Sequence, residues 1–332
     1  MYQAPVSPAS THALLRAGTP RSATEGAWIR TAGAAIVKSN LTKATPLLRP
    51  VRPASLPRTA VVMTTYNRPD ALALVLDGYR DQLDQSFELI VSDDGSTRET
   101  AGVIEEAQRT ARFSISHVWQ EDRGFRAAAI RNRAAATSPA EYMIFTDGDC
   151  VPSLDFVSRH RRLAQRGFFV AGSRVSLQAQ LTRAVIDQRV AIHRWGPRSW
   201  VGARLHGDVN RLVPLLALPL TGSWRTATPR RWKGHSSCNL AIWRRDFERV
   251  NGFDESFEGW GFEDTDLVVR LVMAGVRYKA GRLAVPVFHL WHSQSDRSYW
   301  GGNKQRFEEM VASRRTTAII GLDRHRSEIG LP

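Results

Sequence analysis

The sequence predicts an α/β fold with a mainly parallel central sheet flanked by helices. Two observations carry this reading. From residue 59 onward, short apolar runs alternate with helical segments, and strands that alternate with helices pair in parallel. Several of the apolar runs end in polar or acidic strings, and in such sheets ligands bind beyond the carboxyl ends of the strands.

The elements follow in order. Ala60-Val61-Val62-Met63 is the first strand, and Pro69 suits the first turn of a helix through Leu83. Phe87-Glu88-Leu89-Ile90-Val91 is the second strand. Ser96-Thr97-Arg98-Glu99 has capping-box spacing and opens a helix to about Ala111. Residues 113–118 read as a third strand, and 124–136, rich in Ala and Arg, as a helix. Tyr142-Met143-Ile144-Phe145 is the fourth strand and runs into Asp147-Gly148-Asp149. The stretch 159–249 is less regular. Its pattern predicts a helix over 185–194 and a returning strand over 237–242. Residues 263–274 form an amphipathic helix with Leu267, Leu271 and Val272 on its apolar side. Val285-Pro286-Val287-Phe288 is the last strand, His289-Leu290-Trp291-His292 follows it, and 300–318 read as a terminal helix. No internal repeat is present.

Composition narrows the class. The chain has 332 residues, enough for a substantial core. Ten Trp and thirteen Phe are incompatible with a disordered chain. Two cysteines, Cys150 and Cys238, exclude a disulfide scaffold and fit a reducing compartment. No apolar run approaches a bilayer span, and Met1 to Ser10 lacks a signal-peptide layout, so the expected location is cytoplasmic. The formal net charge is +14, but it is unevenly placed. Residues 1–58 carry 8 basic and 1 acidic side chains, 59–158 carry 9 and 16, 159–249 carry 18 and 4, and 250–332 carry 11 and 11. The acidic stretch 59–158 argues against a uniformly basic nucleic-acid binder, and no nucleic acid is expected as a partner. Residues 1–58 read as a basic, Pro- and Ala-rich leader. Within it, Trp28, Ile29, Ala32, Ala35 and Ile36 would share one face of a short helix suited to a membrane surface.

Three strand ends converge on one crevice: Thr64-Thr65-Tyr66-Asn67-Arg68, Ser92-Asp93-Asp94-Gly95-Ser96 and Asp147-Gly148-Asp149. Paired carboxylates in a turn reach a hard divalent cation and a ribose or phosphate together, which suits Mg²⁺ or Mn²⁺. Asp-Gly-Asp is also a common turn, so the string alone leaves both readings open. His289 and His292 stand at i, i+3 after a strand, where both rings can face one metal. A single such histidine is usually packed or at the surface. The pair, beside an independent Asp-x-Asp, fits a mixed carboxylate and imidazole site for Mn²⁺. In Gly259-Trp260-Gly261-Phe262-Glu263-Asp264-Thr265-Asp266 the glycines admit close backbone approach. The acids would open a helix, where the dipole favours negative charge. Plain helix-start acids explain Glu263 or Asp266 singly, but not Trp260 between two glycines. An aromatic plane beside carboxylates suits a sugar face, and one carboxylate there can act as general base for a hydroxyl.

In this order, together with Arg131-Asn132, these strings resemble a glycosyltransferase of the GT-A fold, family 2. The C-terminal part resembles the galactosyltransferase-type module of bacterial chondroitin-type polysaccharide synthases and animal β-1,4-galactosyltransferases. The resemblance spans 59–295. It implies a nucleotide-binding half over 59–158, a basic insert over 159–249 and an acceptor and catalytic half over 250–295, with a C-terminal helix in 296–332. It implies that Thr65, Tyr66 and Arg68 line the nucleotide site and that Asp93, with Asp94, holds base and ribose. Arg131 would lie near the diphosphate. Asp149 would be the main metal carboxylate, with Asp147 on ribose or a metal-bound water, and His289 and His292 would complete the Mn²⁺ or Mg²⁺ site. Trp260 and Glu263 would bind the acceptor with Asp264, the position of the catalytic base. The implied reaction is inverting transfer from a nucleotide sugar, usually UDP-linked, to a glycan or lipid-linked acceptor in bacterial surface polysaccharide or lipopolysaccharide synthesis. Two departures stand out: Phe262, where the family often has glycine, and the long Arg-rich stretch 175–235, for which the resemblance offers no motif. The basic regions would face an anionic acceptor or the inner membrane leaflet. The alternatives are a nucleotidyltransferase, which would more often show a Gly-rich loop after strand one, and a non-catalytic glycan- or nucleic-acid-binding protein on the same fold.

Overall fold

The computed structural model describes residues 55–293 and 296–328. The leader and its expected short helix over 28–36 lie outside them, apart from residues 55–58. Strand β1 (Thr59–Thr65) leads into helix α1 (Pro69–Arg80), β2 (Phe87–Asp93), α2 (Arg98–Thr110), β3 (Ser114–Trp119) and α3 (Ala127–Thr137). Then come β4 (Tyr142–Asp147), β5 (Cys150–Pro152), α4 (Phe156–Leu163), β6 (Phe168–Ala171), β7 (Ser173–Ser176), α5 (Ala179–Asp187) and α6 (Pro197–Leu205). The chain continues with β8 (Asn239–Trp243), α7 (Arg244–Arg249), α8 (Glu263–Met273), β9 (Arg277–Ala280), β10 (Pro286–His289), α9 (Trp300–Ser313) and α10 (Leu322–Glu328).

A seven-stranded sheet has the order β3-β2-β1-β4-β8-β6-β9. Every neighbouring pair is parallel except those of β8, which runs antiparallel to β4 and β6. The central strands are buried on both faces, so β1 reads as an unbroken apolar run with threonines only at its ends. A smaller sheet, β5-β10-β7, stands beside it, with β10 antiparallel to β5 and parallel to β7.

Local chemistry explains the helices. Proline opens α1, and Ala71, Leu72, Val75, Leu76 and Tyr79 recur at helical spacing on its buried side. The capping box expected at Ser96 does not form. The Ser96 hydroxyl accepts from the Asn67 amide (2.9 Å), and the helix starts two residues later with no side-chain cap. The helix expected over 185–194 is also corrected. A helix ends at Asp187, Arg189 takes φ 47°, and a short 3₁₀ turn occupies Ile192–Arg194. The terminal helix stops at Ser313, because Arg314 turns into the left-handed region with φ 55°.

One buried ion pair fixes α8. Arg270 and Asp266 are both fully buried, and Arg270 Nε donates to Asp266 Oδ2 (2.7 Å). Arg270 Nη1 also donates to the carbonyls of Val250 (2.6 Å) and Gly252 (2.9 Å), which pins the loop before the helix. Removing one partner of such a pair leaves an uncompensated buried charge. Arg270→Met should therefore cost about 3–5 kcal/mol of stability, measured by urea unfolding. A loss below about 1 kcal/mol would show that the pair does not hold this region.

Candidate functional site

The parallel register lines up the strand ends. Thr65 of β1 pairs with Asp93 of β2, Asp93 with Trp119 of β3, and Thr64 with Asp147 of β4. Strands lie about 4.8 Å apart, so Asp93 and Asp147 are separated by about 10 Å across the same edge. The turn after β4 is tight. The Gly148 amide donates to the Thr64 carbonyl (2.7 Å), and a Cβ at Gly148 would meet Thr65 Oγ1 at 2.9 Å. Only glycine fits between the two aspartates.

The small sheet delivers the histidines. Cys150 of β5 pairs with His289 of β10, and the Leu290 amide donates to the Asp149 carbonyl (2.9 Å). This sets His289 Nε2 3.5 Å and His292 Nε2 3.4 Å from Asp149 Oδ2. One ligand atom of each of the three lies within 4.8 Å of the others. Burial lowers the pKa of His289, opposed by Asp149 and aided by Arg174, His292 and Arg68. A neutral imidazole is the metal-binding form. One carboxylate oxygen and two imidazole nitrogens fit Mn²⁺ chemically.

The residues at the ends of β1 and β2 are mostly engaged within the protein. Asp93 accepts from the Ser96 amide (2.8 Å) and lies 3.0 Å from His117 Nε2. Burial pushes its pKa up, but the bonds from His117 and Ser96 outweigh this and hold it below the usual range. Asp94 accepts from the Arg126 amide (2.7 Å) and Gln120 Nε2 (2.5 Å), yet burial wins there and raises its pKa. The half-exposed Tyr66 donates its hydroxyl to Asp122 Oδ2 (2.9 Å), and Arg68 pairs with Asp70 (2.9 Å). Thr65 Oγ1 is buried without a hydrogen-bond partner among the described residues.

Arg131 joins the two sides of the crevice. It is 4% exposed, and its Nε donates to Thr64 Oγ1 (3.0 Å) and its Nη2 to Asp147 Oδ1 (3.1 Å). Its Nη1 lies 3.6 Å from Asp264 Oδ1 and 3.8 Å from Glu263 Oε1. Burial raises the Asp147 carboxyl to about 6, with Arg131 opposing and Asp149 and Asp264 adding. Burial likewise raises Glu263 to about 7, with Asp264 adding and Arg131 opposing. Asp264 accepts from Ser236 Oγ (2.9 Å).

The loop before α8 is built for close approach. Gly259 and Gly261 have φ 70° and 116°, and a Cβ at Gly259 would sit 2.3 Å from the Tyr299 ring. Trp260 between them is 37% exposed, with the Arg297 guanidinium 5.2 Å from its ring centre. Phe262 takes φ 72°, a left-handed conformation that glycine adopts more readily. It is held there by Trp300 (5.5 Å) and Phe307 (5.4 Å) of α9.

The structure thus gathers Asp147, Asp264 and Glu263 round Arg131, and Asp149, His289 and His292 in one group. Sequence reasoning missed Ser236, which sits 28 residues from Asp264 with no spacing signal. It also missed His117. That residue was legible from register, since it stands two positions before the Trp119 that pairs with Asp93.

Comparison with known proteins follows this geometry. Residues 60–207 match the model of glycosyl transferase family 2, and 224–292 match that of the N-terminal domain of galactosyltransferase. Validoxylamine A glucosyltransferase of Streptomyces hygroscopicus subsp. jinggangensis is 30% identical over 241 residues, covering 68% of this chain and 54% of that protein. Hyaluronan synthase of Pasteurella multocida is 26% identical over 231 residues, covering 66% of this chain and 23% of that one. The chain therefore spans about half or less of the length of these relatives. Among solved structures, mannosyltransferase PcManGT from Pyrobaculum calidifontis, in complex with GDP-Man and Mn²⁺, superposes with TM-score 0.52 at 19% identity. It covers 87% of this chain and 74% of that one, a likeness of fold. On the two family matches and the strand-end motifs they span, residues 60–207 form a glycosyltransferase family 2 domain, joined to a galactosyltransferase-type module over 224–292.

Proposed function

We propose that the chain is an inverting, metal-dependent glycosyltransferase that moves a sugar from a nucleotide donor, UDP-linked, to a hydroxyl of a glycan or lipid-linked acceptor in bacterial surface polysaccharide synthesis. The observation that carries this is Arg131, which ties Asp147 at the end of a donor-side strand to Asp264 at the start of α8. Donor carboxylates and base thus flank one guanidinium. Asp149, His289 and His292 would hold Mn²⁺ or Mg²⁺, which when bound would offset charge on the departing diphosphate. Thr65, Tyr66, Arg68, Asp93 and Asp94 would line the nucleotide. Trp260 offers its face to the acceptor sugar, and Glu263 binds beside it. Asp264, steadied by Ser236, accepts the proton of the attacking hydroxyl as its oxygen bonds to the anomeric carbon and the bond to the diphosphate breaks. A single displacement inverts that carbon and needs no nucleophilic carboxylate.

The basic insert gives this reading a location. No helix among the described residues is long and apolar enough to cross a membrane. Residues 159–249 hold eighteen basic side chains and four acids. Val201, Leu205, Val213 and Leu216 in the same stretch are exposed. Arginine beside exposed apolar side chains suits an anionic lipid surface.

Three tests follow. Incubation with a panel of UDP- and GDP-sugars, Mn²⁺ and candidate acceptors should release the nucleoside diphosphate, and chelation should stop it. Asp264→Asn should lower kcat by about 10²–10⁴-fold while nucleotide binding persists, and Asp149→Ala should abolish the metal response. No release from any nucleotide sugar, or normal transfer by Asp264→Asn, would overturn the assignment. In flotation, the protein should rise with anionic vesicles at low salt and stay down with neutral ones, and equal recovery on both would refute the membrane face.

Stability against pH tests the electrostatics of the site. Glu263 faces Asp264, Arg131 and the Gly261 amide, and in the folded chain it keeps its proton to about 7 rather than 4.5. The folded state then binds the extra proton between those values, so stability falls as pH rises through that window. Glu263→Gln should flatten this slope in urea melts of metal-free protein between pH 4.5 and 7 without abolishing it, because Asp147, raised to about 6, contributes in the same window. Identical slopes in both proteins would refute it.

A further inference from the structure

The mechanism above uses neither cysteine. Both are buried free thiols. Cys150 opens β5, one residue after Asp149, and Cys238 immediately precedes β8. The main sheet brings them together. Thr146 of β4 pairs with Asn239 of β8, and the Thr146 hydroxyl donates to the Cys238 carbonyl (3.2 Å). The two sulfurs and one Asp147 carboxylate oxygen all lie within 4.8 Å of one another. Cys150 Sγ is also 3.4 Å from Asp149 Oδ1. Arg174, from β7, is close enough to interact with both thiols and both aspartates.

We infer that Cys150, Cys238 and Asp147 form a second metal site, selective for a thiophilic divalent cation of the Zn²⁺ type and separate from the Asp149, His289 and His292 group. Two sulfurs and one oxygen are a softer donor set than one oxygen and two nitrogens. The first favours Zn²⁺ or Co²⁺ in tetrahedral geometry and the second tolerates Mn²⁺. Three protein ligands leave a fourth position open. The Asp147 side chain is 30% exposed, so an ion enters from the crevice past that carboxylate. Binding releases the two thiol protons. It also draws on the carboxylate that Arg131 holds at 3.1 Å. A bound thiophilic ion therefore competes with the tie between β4 and α8 and inhibits turnover. That consequence rests on the proposed function, whereas the binding itself does not.

Co²⁺ tests the site in the full chain, reduced and metal-free. The expected result is a saturable near-ultraviolet sulfur-to-cobalt charge-transfer band at one equivalent. It should be lost in Cys150→Ser and in Cys238→Ser and kept in His292→Ala, with circular dichroism confirming that each variant is folded. Should a serine variant fail to fold, alkylation of the wild-type thiols reads the same site: Zn²⁺ should block it and a chelator should restore it. Absence of the band, its persistence in Cys238→Ser, or thiols that Zn²⁺ does not protect would overturn the inference. None of these readouts needs sugar transfer, so their failure is distinct from failure of the proposed activity.

Discussion

The guanidinium of Arg131 is the constraint on which the crevice depends. Asp147, Glu263 and Asp264 arrive from two elements far apart in sequence, and all three reach the same cation. Carboxylates brought this close repel one another, and burial adds a desolvation cost that a lone anion does not recover. Arg131 offsets both, and its Nε bond to Thr64 anchors the charge to the edge of β1. The residual strain shows in the acids themselves. Asp147 and Glu263 both hold protons well above the ordinary carboxylate range, so the cation relieves the repulsion only in part. Such a site is poised for further positive charge, which is what a metal ion brings.

Much of this was legible in the sequence. Strands β1, β2 and β4 are apolar runs long enough to be read without alignment, and each ends in the polar string that reaches the crevice. The glycine loop before α8 was legible because Trp260 stands between two glycines, which helix-start acids do not explain. What escaped lies mostly between residues 150 and 280. Strands β6, β7 and β9 have four residues each, too few for periodicity to show, and their pairing is fixed by tertiary contacts. The helix misread over 185–194 failed at Arg189, whose left-handed backbone no pattern of apolar spacing announces. Arg131 itself was expected beside a diphosphate. Its grip on three carboxylates became visible only once α8 was folded back over the strand ends.

Phe262 stands where the backbone suits glycine. A left-handed backbone favours glycine, and a phenylalanine costs about 1–2 kcal/mol in that conformation. Its ring packs between Trp300 and Phe307, and those contacts offset the strain. Helix α9 thereby becomes part of the wall of the loop before α8. Tyr299 presses on Gly259 from the same direction, so both glycine-rich turns are shaped by residues some forty positions downstream.

The reversed direction of β8 has its own consequence. In a parallel sheet only residues that follow a strand reach the carboxyl edge. An antiparallel strand inserted among them offers that edge the residues that precede it. Ser236 and Cys238 reach the crevice in this way, as the last residues of the long basic insert before β8 begins. The insert is thus tethered at the crevice through β8 and at the small sheet through β7. Between those tethers it packs into the molecule: Val185, Ile192, Trp200 and Val209 are buried in the core, and Arg225 donates to the Ala280 carbonyl (2.6 Å). A change of sequence there is therefore felt both in the core and at the crevice edge that Ser236 and Cys238 reach.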